Sequence, residues 1–184
     1  MTEQIIDVRA NPSGETVSED FRPTTQPVGQ PNYMPAGAGP AYWGPGDRIA
    51  FLITGEQTGG AFFMAEVSVP PGGGTQPHIH RREEETFYVQ QGTITIEVGG
   101  KTLIASPGDS VHLPRGVVHC FRNTGNVDAK FLALITPAGL EGFFAEAFVP
   151  AVDRSPSPPP VSEAWLARLF AAAPKYGLEL LRTA

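Results

Sequence analysis

Residues 76–92 read QPHIHRREEETFYVQQG and contain two of the four histidines in the 184-residue chain. Side chains alternate between the faces of an extended strand, so His78 and His80 point the same way with Cα atoms roughly 6.6 Å apart. Both imidazoles can therefore reach one ion. Glu85 lies an odd number of residues further on and would face the opposite side of an unbroken strand. The chain must turn within RREE, so that Glu85 begins a new strand ending at Gly92.

Two acidic residues precede Glu85. We expect Glu83 and Glu84 to lie in or beside the turn, where water solvates them. If the new strand begins at Glu85, Phe87 and Val89 share its face. An aromatic side chain then lies on the same side of the strand as the carboxylate.

A second histidine-bearing segment, GDSVHLPRGVVHCFRN, spans residues 108–123. Pro114 and Gly116 predict a turn that places His119 on a new strand, with Phe121 on the same face. Three imidazoles and one carboxylate suit a divalent transition metal better than Mg²⁺ or Ca²⁺, which prefer oxygen donors. The first segment thus supplies three candidate ligands of a site that is completed from elsewhere in the chain.

The composition favours short strands joined by turns. The 21 glycines and 19 prolines are many for a helical protein. Between residues 47 and 136, apolar segments of four to nine residues alternate with turn sequences such as PPGGG, SPGD and PRG. An all-β sandwich or small barrel is predicted. A chain of this length can bury about 70% of its unfolded surface in one core.

Three zones differ in composition. Residues 1–46 are rich in proline and glycine and predict an extended arm that lies on the domain or on a second subunit. Residues 47–150 predict the barrel. Residues 151–184 predict a stiff RSPSPPP linker and a C-terminal helix, with Ser162 as its N-cap, that packs on the barrel or on a partner. AGLEGFFAEAF, just before the linker, predicts another short helix.

Charge and hydropathy exclude several classes of partner. The net charge of −6 and the scattered basic residues disfavour nucleic acid. No apolar run is long enough to span a bilayer, the first residues lack a charged-then-apolar signal segment, and Cys120 has no second cysteine to pair with. We therefore expect a cytoplasmic protein with no membrane partner.

The sequence resembles the cupins, whose two motifs it matches at every fixed position. The first motif, G(x)5HxH(x)4E(x)6G, is matched by Gly72, His78, His80, Glu85 and Gly92. The second, G(x)5PxG(x)2H(x)3N, is matched by Gly108, Pro114, Gly116, His119 and Asn123. Ten matches in register are far more specific than a lone short motif. The resemblance covers residues 47–136. It implies an all-β double-stranded β-helix, or jelly-roll barrel, with a metal ion held in its mouth by His78, His80, Glu85 and His119.

Within the cupins, stretches such as PHIHRREEETFYVQQG and LPRGVVHCFRNTG are similar to single-domain proteins called quercetin dioxygenase-like. This resemblance implies a quercetinase-like oxidoreductase that uses O2 to open a flavonol, a small aromatic substrate. The implied cofactor is one divalent transition metal ion: Fe, Mn, Ni, Co, Cu or Zn. Glu85 is the implied catalytic base, accepting the proton of the substrate hydroxyl.

Several alternatives stay open. Phe87 and Phe121, with Phe63 as a further member, supply either a flat wall for an aromatic ligand or the filling of a small barrel. His112 is expected to lie outside the site. The same four ligands also suit an isomerase, a decarboxylase or a non-catalytic cupin that binds a small organic molecule. We expect a homodimer, because a single barrel leaves sheet edges that the arm can pair across a two-fold axis.

Overall fold

A computed structural model of the chain describes residues 31–151 and 160–181, and the strands in these ranges form two antiparallel sheets. The first sheet contains, in spatial order, β11 (Val149–Pro150), β1 (Ala41–Trp43), β2 (Arg48–Ile53), β3 (Phe63–Val69), β10 (Ala129–Thr136), β5 (Glu84–Gln91) and β8 (Ser110–Leu113). The second contains β12 (Leu178–Leu180), β4 (His78–His80), β9 (His119–Arg122), β6 (Ile94–Val98) and β7 (Lys101–Ala105). The all-β jelly roll expected from the sequence is confirmed.

Alternation along the strands places the core between the two sheets. In β3 every second residue is buried, beginning with Phe63, and β10 alternates in the same way. Phe87 of β5 and Phe131 of β10 contact each other with ring centroids 4.3 Å apart, and Phe121 of β9 lies 5.1 Å from Phe131. Because β9 belongs to the second sheet, this aromatic cluster joins the two sheets.

One motif glycine has a steric role. Gly92 ends β5 with a φ of +67°, a conformation that residues with a side chain rarely adopt. A Cβ at this position would also lie 2.7 Å from the carbonyl oxygen of Asp128. Only glycine fits where the end of β5 passes this close to the start of β10.

Asn123, the last residue of the second motif, is fully buried and fixes a junction between strands. Its Nδ2 donates to the carbonyl oxygens of Val69 and Val127, both at 2.8 Å, and its Oδ1 accepts from Gly125 N at 2.9 Å. The side chain therefore ties the end of β3 to the turn between β9 and β10.

The ends of the fold differ from the sequence-based boundaries. Ala41–Trp43 forms strand β1 between β2 and β11, so the sheet begins inside the segment assigned to the arm. Tyr42 and Trp43 are buried there, although the surrounding prolines and glycines give the segment the composition of a loop. Residues 1–30 lie outside the described residues, as do residues 152–159 of the predicted linker and residues 182–184.

Helices cover one end of the barrel. They are α1 (Glu141–Ala147), α2 (Glu163–Ala172) and a 3-10 helix (Ala173–Tyr176). Ser162 caps α2 by accepting from Trp165 N, as predicted, and Trp165 Nε1 donates to the carbonyl oxygen of Ala147 at 2.9 Å. Helix α2 thus packs on its own chain. No helix within the described residues has both the length and the apolar character needed to cross a membrane.

Strand β12 was not anticipated from the sequence, which predicts only a helix and a linker in this part of the chain. It pairs antiparallel with β4, with Leu178 opposite His80 and Leu180 opposite His78. Three residues are too few to show an alternating pattern, so the strand forms because of its partner. This pairing brings the end of the described chain beside the two histidines.

We predict that Asn123→Ala lowers the free energy of unfolding by about 2 kcal/mol, because it leaves buried carbonyl oxygens without donors. Urea unfolding followed by tryptophan fluorescence measures this change. Thr124→Ala is the matched control. Thr124 makes one exposed hydroxyl contact with Thr95, so its loss should change stability by less than about 0.5 kcal/mol. Equal stability of the two variants would contradict the role of Asn123.

Candidate metal centre

Four side chains from three strands converge between the sheets. One donor atom each from His78, His80, Glu85 and His119 lies within 4.8 Å of all the others, and all four residues are buried. Strand β4 supplies two of the histidines, and its pairing with β9 sets His78 opposite His119. Glu85 arrives from β5 in the other sheet, after the chain reverses at residues 81–83, as the odd spacing requires.

Backbone carbonyl oxygens orient two of the imidazoles. His78 Nδ1 lies 2.8 Å from the oxygen of Gln76, and His119 Nδ1 lies 3.0 Å from that of Val117. A carbonyl oxygen only accepts, so each Nδ1 carries the proton and each Nε2 keeps its lone pair when the ring is neutral. Both Nε2 atoms are therefore the donors available to an ion, and the carbonyl contacts fix their direction.

The third imidazole faces a carboxylate instead. His80 Nδ1 lies 3.8 Å from Glu83 Oε2, and neither buried atom has a hydrogen-bond partner. The prediction that Glu83 is solvated is therefore wrong: the turn folds its side chain inward, where it is 4% exposed. Burial raises the pKa of the Glu83 carboxyl. Its neighbour Glu84 is partly exposed and accepts from Arg115 N at 3.0 Å.

The protonation states suit ligation. Burial lowers the pKa of His78 to about 3, assisted by the neighbouring His119 and His80, and burial also lowers the pKa of His80. Burial would raise the pKa of Glu85, but contacts with His119 and His80 outweigh it and the pKa is lowered. Burial would lower the pKa of His119, but Glu85 outweighs it and the pKa is raised. Two neutral imidazoles and an ionised carboxylate therefore surround the centre. Either a proton on His119 or a bound cation balances the negative charge of Glu85.

The donor set fits a transition metal ion. Ligand bonds of about 2.0–2.2 Å place donor atoms roughly 3–4.3 Å apart around one ion, and the four donor atoms here all lie within 4.8 Å of one another. His119 Nε2 is buried without a hydrogen bond, although it lies 3.3 Å from Glu85 Oε2. An ion at the centre would satisfy this atom. Mixed imidazole and carboxylate donors do not select among the first-row metals.

A cavity of about 150 Å³ opens beside the cluster. His78, His80 and Glu85 line one part of it, and most of the remaining wall is apolar. Phe87 and Phe121 lie in this wall and also belong to the buried core, so their position is compatible with both roles that the sequence leaves open.

Phe63 is absent from the cavity wall. Its fully buried ring lies 5.8 Å from the ring of Phe51 and 6.4 Å from that of Phe144, measured between centroids. Phe144, from α1, is the residue of this group that reaches the cavity. Alternation correctly predicted that Phe63 points inward, but it could not show that a helix from a later part of the chain would lie there. The place given to Phe63 in the pocket is therefore corrected.

Sequence reasoning missed several parts of the cavity wall. Leu140 before α1, Leu166 and Leu169 of α2, and Leu178 of β12 all line it, and only tertiary packing places them there. Asp47 also lines the cavity and is buried. It was missed because it ends a GPGD turn, where an aspartate is normally solvated. His112 is exposed and lies outside the cluster, 3.4 Å from the hydroxyl of Thr86.

The comparison with protein families agrees with this geometry. The family model described as a cupin domain matches residues 65–135, which include all four candidate ligands. Residues 65–135 form a cupin domain. The jelly-roll architecture and the position of the cluster inside it are those expected from the two sequence motifs.

Curated relatives match the chain over part of their length. Quercetin 2,3-dioxygenase of Bacillus subtilis (strain 168) is 32% identical over 111 residues, covering 55% of this chain and 32% of that protein. Quercetin 2,3-dioxygenase of Aspergillus japonicus is 30% identical over 115 residues, covering 59% of this chain and 33% of that protein. The matched region thus spans about a third of the length of these dioxygenases.

A solved structure covers a similar part of the chain. The crystal structure of a predicted oxalate decarboxylase from Thermotoga maritima aligns with a TM-score of 0.50 and 28% identity. The alignment covers 54% of this chain and 92% of that one. The aligned region therefore accounts for nearly all of that smaller protein.

We predict that His78→Ala and His119→Ala each weaken metal binding roughly 100-fold or more, because each removes a buried donor atom that no other side chain replaces. Competition with a chromophoric chelator, followed by elemental analysis, measures the loss. His112→Ala is the control and should bind like the wild type. Unchanged affinity in either ligand variant would remove that histidine from the site.

Glu83→Ala should weaken metal binding roughly 10- to 100-fold, because it removes the carboxyl group that faces His80 Nδ1 at 3.8 Å, a partner of the kind that orients a metal-bound imidazole. The same chelator competition measures this loss of affinity. Glu83→Gln should recover part of the affinity, because the amide retains an oxygen acceptor. The matched control is Glu84→Gln, one residue away and partly exposed. If both glutamates gave the same small effect, Glu83 would have no positioning role.

Proposed function

We propose that this cupin is a metal-dependent dioxygenase that opens a flavonol, of the kind that quercetin represents, with O2. The observation that carries the proposal is the convergence of four buried donors, from three imidazoles and one carboxylate, beside a largely apolar cavity. The identity with two quercetin 2,3-dioxygenases supports it. Because only part of those proteins is matched, the activity and the substrate are proposals.

When bound, a divalent transition ion would supply Lewis acidity that polarises the substrate hydroxyl and orients the ring toward O2. Glu85 lies on the cavity wall, and its lowered pKa keeps its carboxylate ionised and able to accept a proton at neutral pH. We assign it the proton of the substrate 3-hydroxyl. The imidazoles of His78 and His80 remain neutral because their pKa values are lowered.

The apolar wall has two roles in this scheme. Phe87 and Phe121 pack edge to face, with ring centroids 5.7 Å apart and planes at 86°, and present flat carbon surfaces to a planar ligand. Together with the aromatic side chains from α1, they also limit the water that reaches the deprotonated substrate. Residues of the chain therefore bind, orient and deprotonate the flavonol.

The proposed reaction balances without another reagent. Both atoms of O2 enter the substrate, the carbon–carbon bonds that flank one ring carbon break, and that carbon leaves as carbon monoxide. The remaining product is the ester of two aromatic acids, a depside. The flavonol itself supplies the electrons, so no external reductant is required.

A decarboxylase or a non-catalytic binding protein is the second candidate, because a predicted oxalate decarboxylase is among the solved structures that align over nearly all of their length. The cavity argues against a small dianion as the ligand. Among its described lining residues there is no lysine or arginine, whereas two carboxylates, Asp47 and Glu85, are present. A neutral aromatic molecule fits such a wall better than oxalate does.

The expected homodimer and cytoplasmic location stay predictions. Within the described residues, β7 forms one edge of the second sheet, where Leu103 and Ile104 are exposed. Such an edge is compatible with pairing between two copies.

We predict that the metal-loaded wild type consumes O2 with quercetin, and that Glu85→Gln lowers kcat roughly 100-fold or more while retaining part of the metal, because an amide does not accept the proton. An oxygen electrode and chelator competition on the same samples separate chemistry from metal loss. Glu84→Gln serves as the control. A fully active Glu85→Gln variant would assign the base elsewhere, and a wild type inactive with every candidate ion would contradict the proposed function.

A further inference from the structure

Asp47 places a second carboxyl group on the wall of the cavity. It is the last residue of the GPGD turn of residues 44–47, directly before β2, and is only 7% exposed. It is not part of the four-residue cluster. The cavity therefore contains a polar group that the metal centre does not use.

The Asp47 carboxyl group has no partner among the residues that the structure describes. Throughout residues 31–151 and 160–181, no hydrogen bond or ion pair reaches its side chain, although its main-chain oxygen accepts from Gly44 N at 2.9 Å. A Cβ at Gly44 would lie 2.1 Å from Asp47 Oδ1 and 2.5 Å from the ring of Phe148. The absence of a side chain at Gly44 thus leaves the space that the carboxyl group occupies.

A buried carboxyl group without a partner is costly to the fold. Burial, assisted by the negative charge of Glu85, raises the pKa of Asp47 to about 7. Other polar groups nearby are already used: the Thr75 hydroxyl accepts from Phe121 N, and the Gln76 carbonyl oxygen contacts His78 Nδ1. Asp47 is thus a buried side chain on this wall that a polar ligand can satisfy.

We propose that Asp47 binds a hydroxyl group of the substrate by accepting a hydrogen bond from it, and so selects hydroxylated aromatic molecules. A cationic ligand fits less well, because a divalent ion with one carboxylate ligand leaves net positive charge in the same cavity. A phenolic hydroxyl adds no charge and brings a strong donor to an unsatisfied acceptor. The identity of the ring rests on the proposed function, whereas the hydroxyl contact does not depend on turnover.

Two ligands with one ring system separate the hydroxyl contact from shape. Quercetin has five hydroxyl groups, and flavone has the same fused rings without any. The metal-loaded full chain is titrated with each under anaerobic conditions, and tryptophan fluorescence gives the Kd. Asp47→Leu removes the acceptor at similar volume, and Asp47→Asn retains a carbonyl oxygen as acceptor.

We expect Asp47→Leu to weaken quercetin binding roughly 10-fold or more and to leave flavone binding unchanged or tighter. Asp47→Asn should stay closer to the wild type for quercetin. Thermal unfolding of each variant verifies that the fold is retained. An equal loss of affinity for both ligands would show that Asp47→Leu acts only by filling space, and it would overturn the proposal. Unchanged affinity for quercetin, or a wild type that binds neither ligand, would overturn it too.

O2 uptake by the same samples separates this inference from the dioxygenase assignment. A protein that binds quercetin through Asp47 but consumes no O2 with any ion would retain the hydroxyl contact and lose the proposed reaction. If Asp47→Leu changed neither the turnover of quercetin nor its Kd, the proposed reaction would be retained and the hydroxyl contact would be lost.

Discussion

The structure depends on one constraint: three imidazoles and a carboxylate must meet in the interior, where unpaired polar groups are costly. The pairing of β4 with β9 brings His78 opposite His119, but Glu85 comes from the other sheet. The cluster can form only if the two sheets face each other at the correct separation. The contacts among Phe87, Phe121 and Phe131 hold that separation, so the apolar core and the candidate metal centre stabilise the same arrangement.

The cavity beside this cluster is chemically asymmetric. The candidate ligands provide donors at one part of its wall, whereas the helices α1 and α2 and strand β12 supply carbon surface. Asp47 and Glu85 are the acidic side chains among its described lining residues, which include no lysine or arginine. This combination favours a flat, neutral, hydroxylated molecule and gives the proposed flavonol a physical basis that does not rest on sequence identity alone.

Local patterns were sufficient for the strands of residues 47–136 and pointed to the four candidate ligands. The HIH spacing, the odd offset to Glu85 and the turn before His119 are short-range features with direct geometric consequences. Glu83, Asp47, Phe63 and β12 were placed wrongly or missed because their environments are created by distant segments. Glu83 and Asp47 look like solvated turn residues until the fold buries them, and only the position of α1 shows that Phe144 rather than Phe63 reaches the cavity.

X-ray absorption spectroscopy of the metal-loaded protein tests the central claim most directly, because it reports the atoms around the ion without requiring turnover. We expect one ion per chain, surrounded by nitrogen and oxygen atoms at about 2.0–2.2 Å. The spectrum should also contain the multiple scattering of three imidazole rings. Binding well below one ion per chain, or a spectrum without imidazole scattering, would contradict the convergence of these four side chains on a metal.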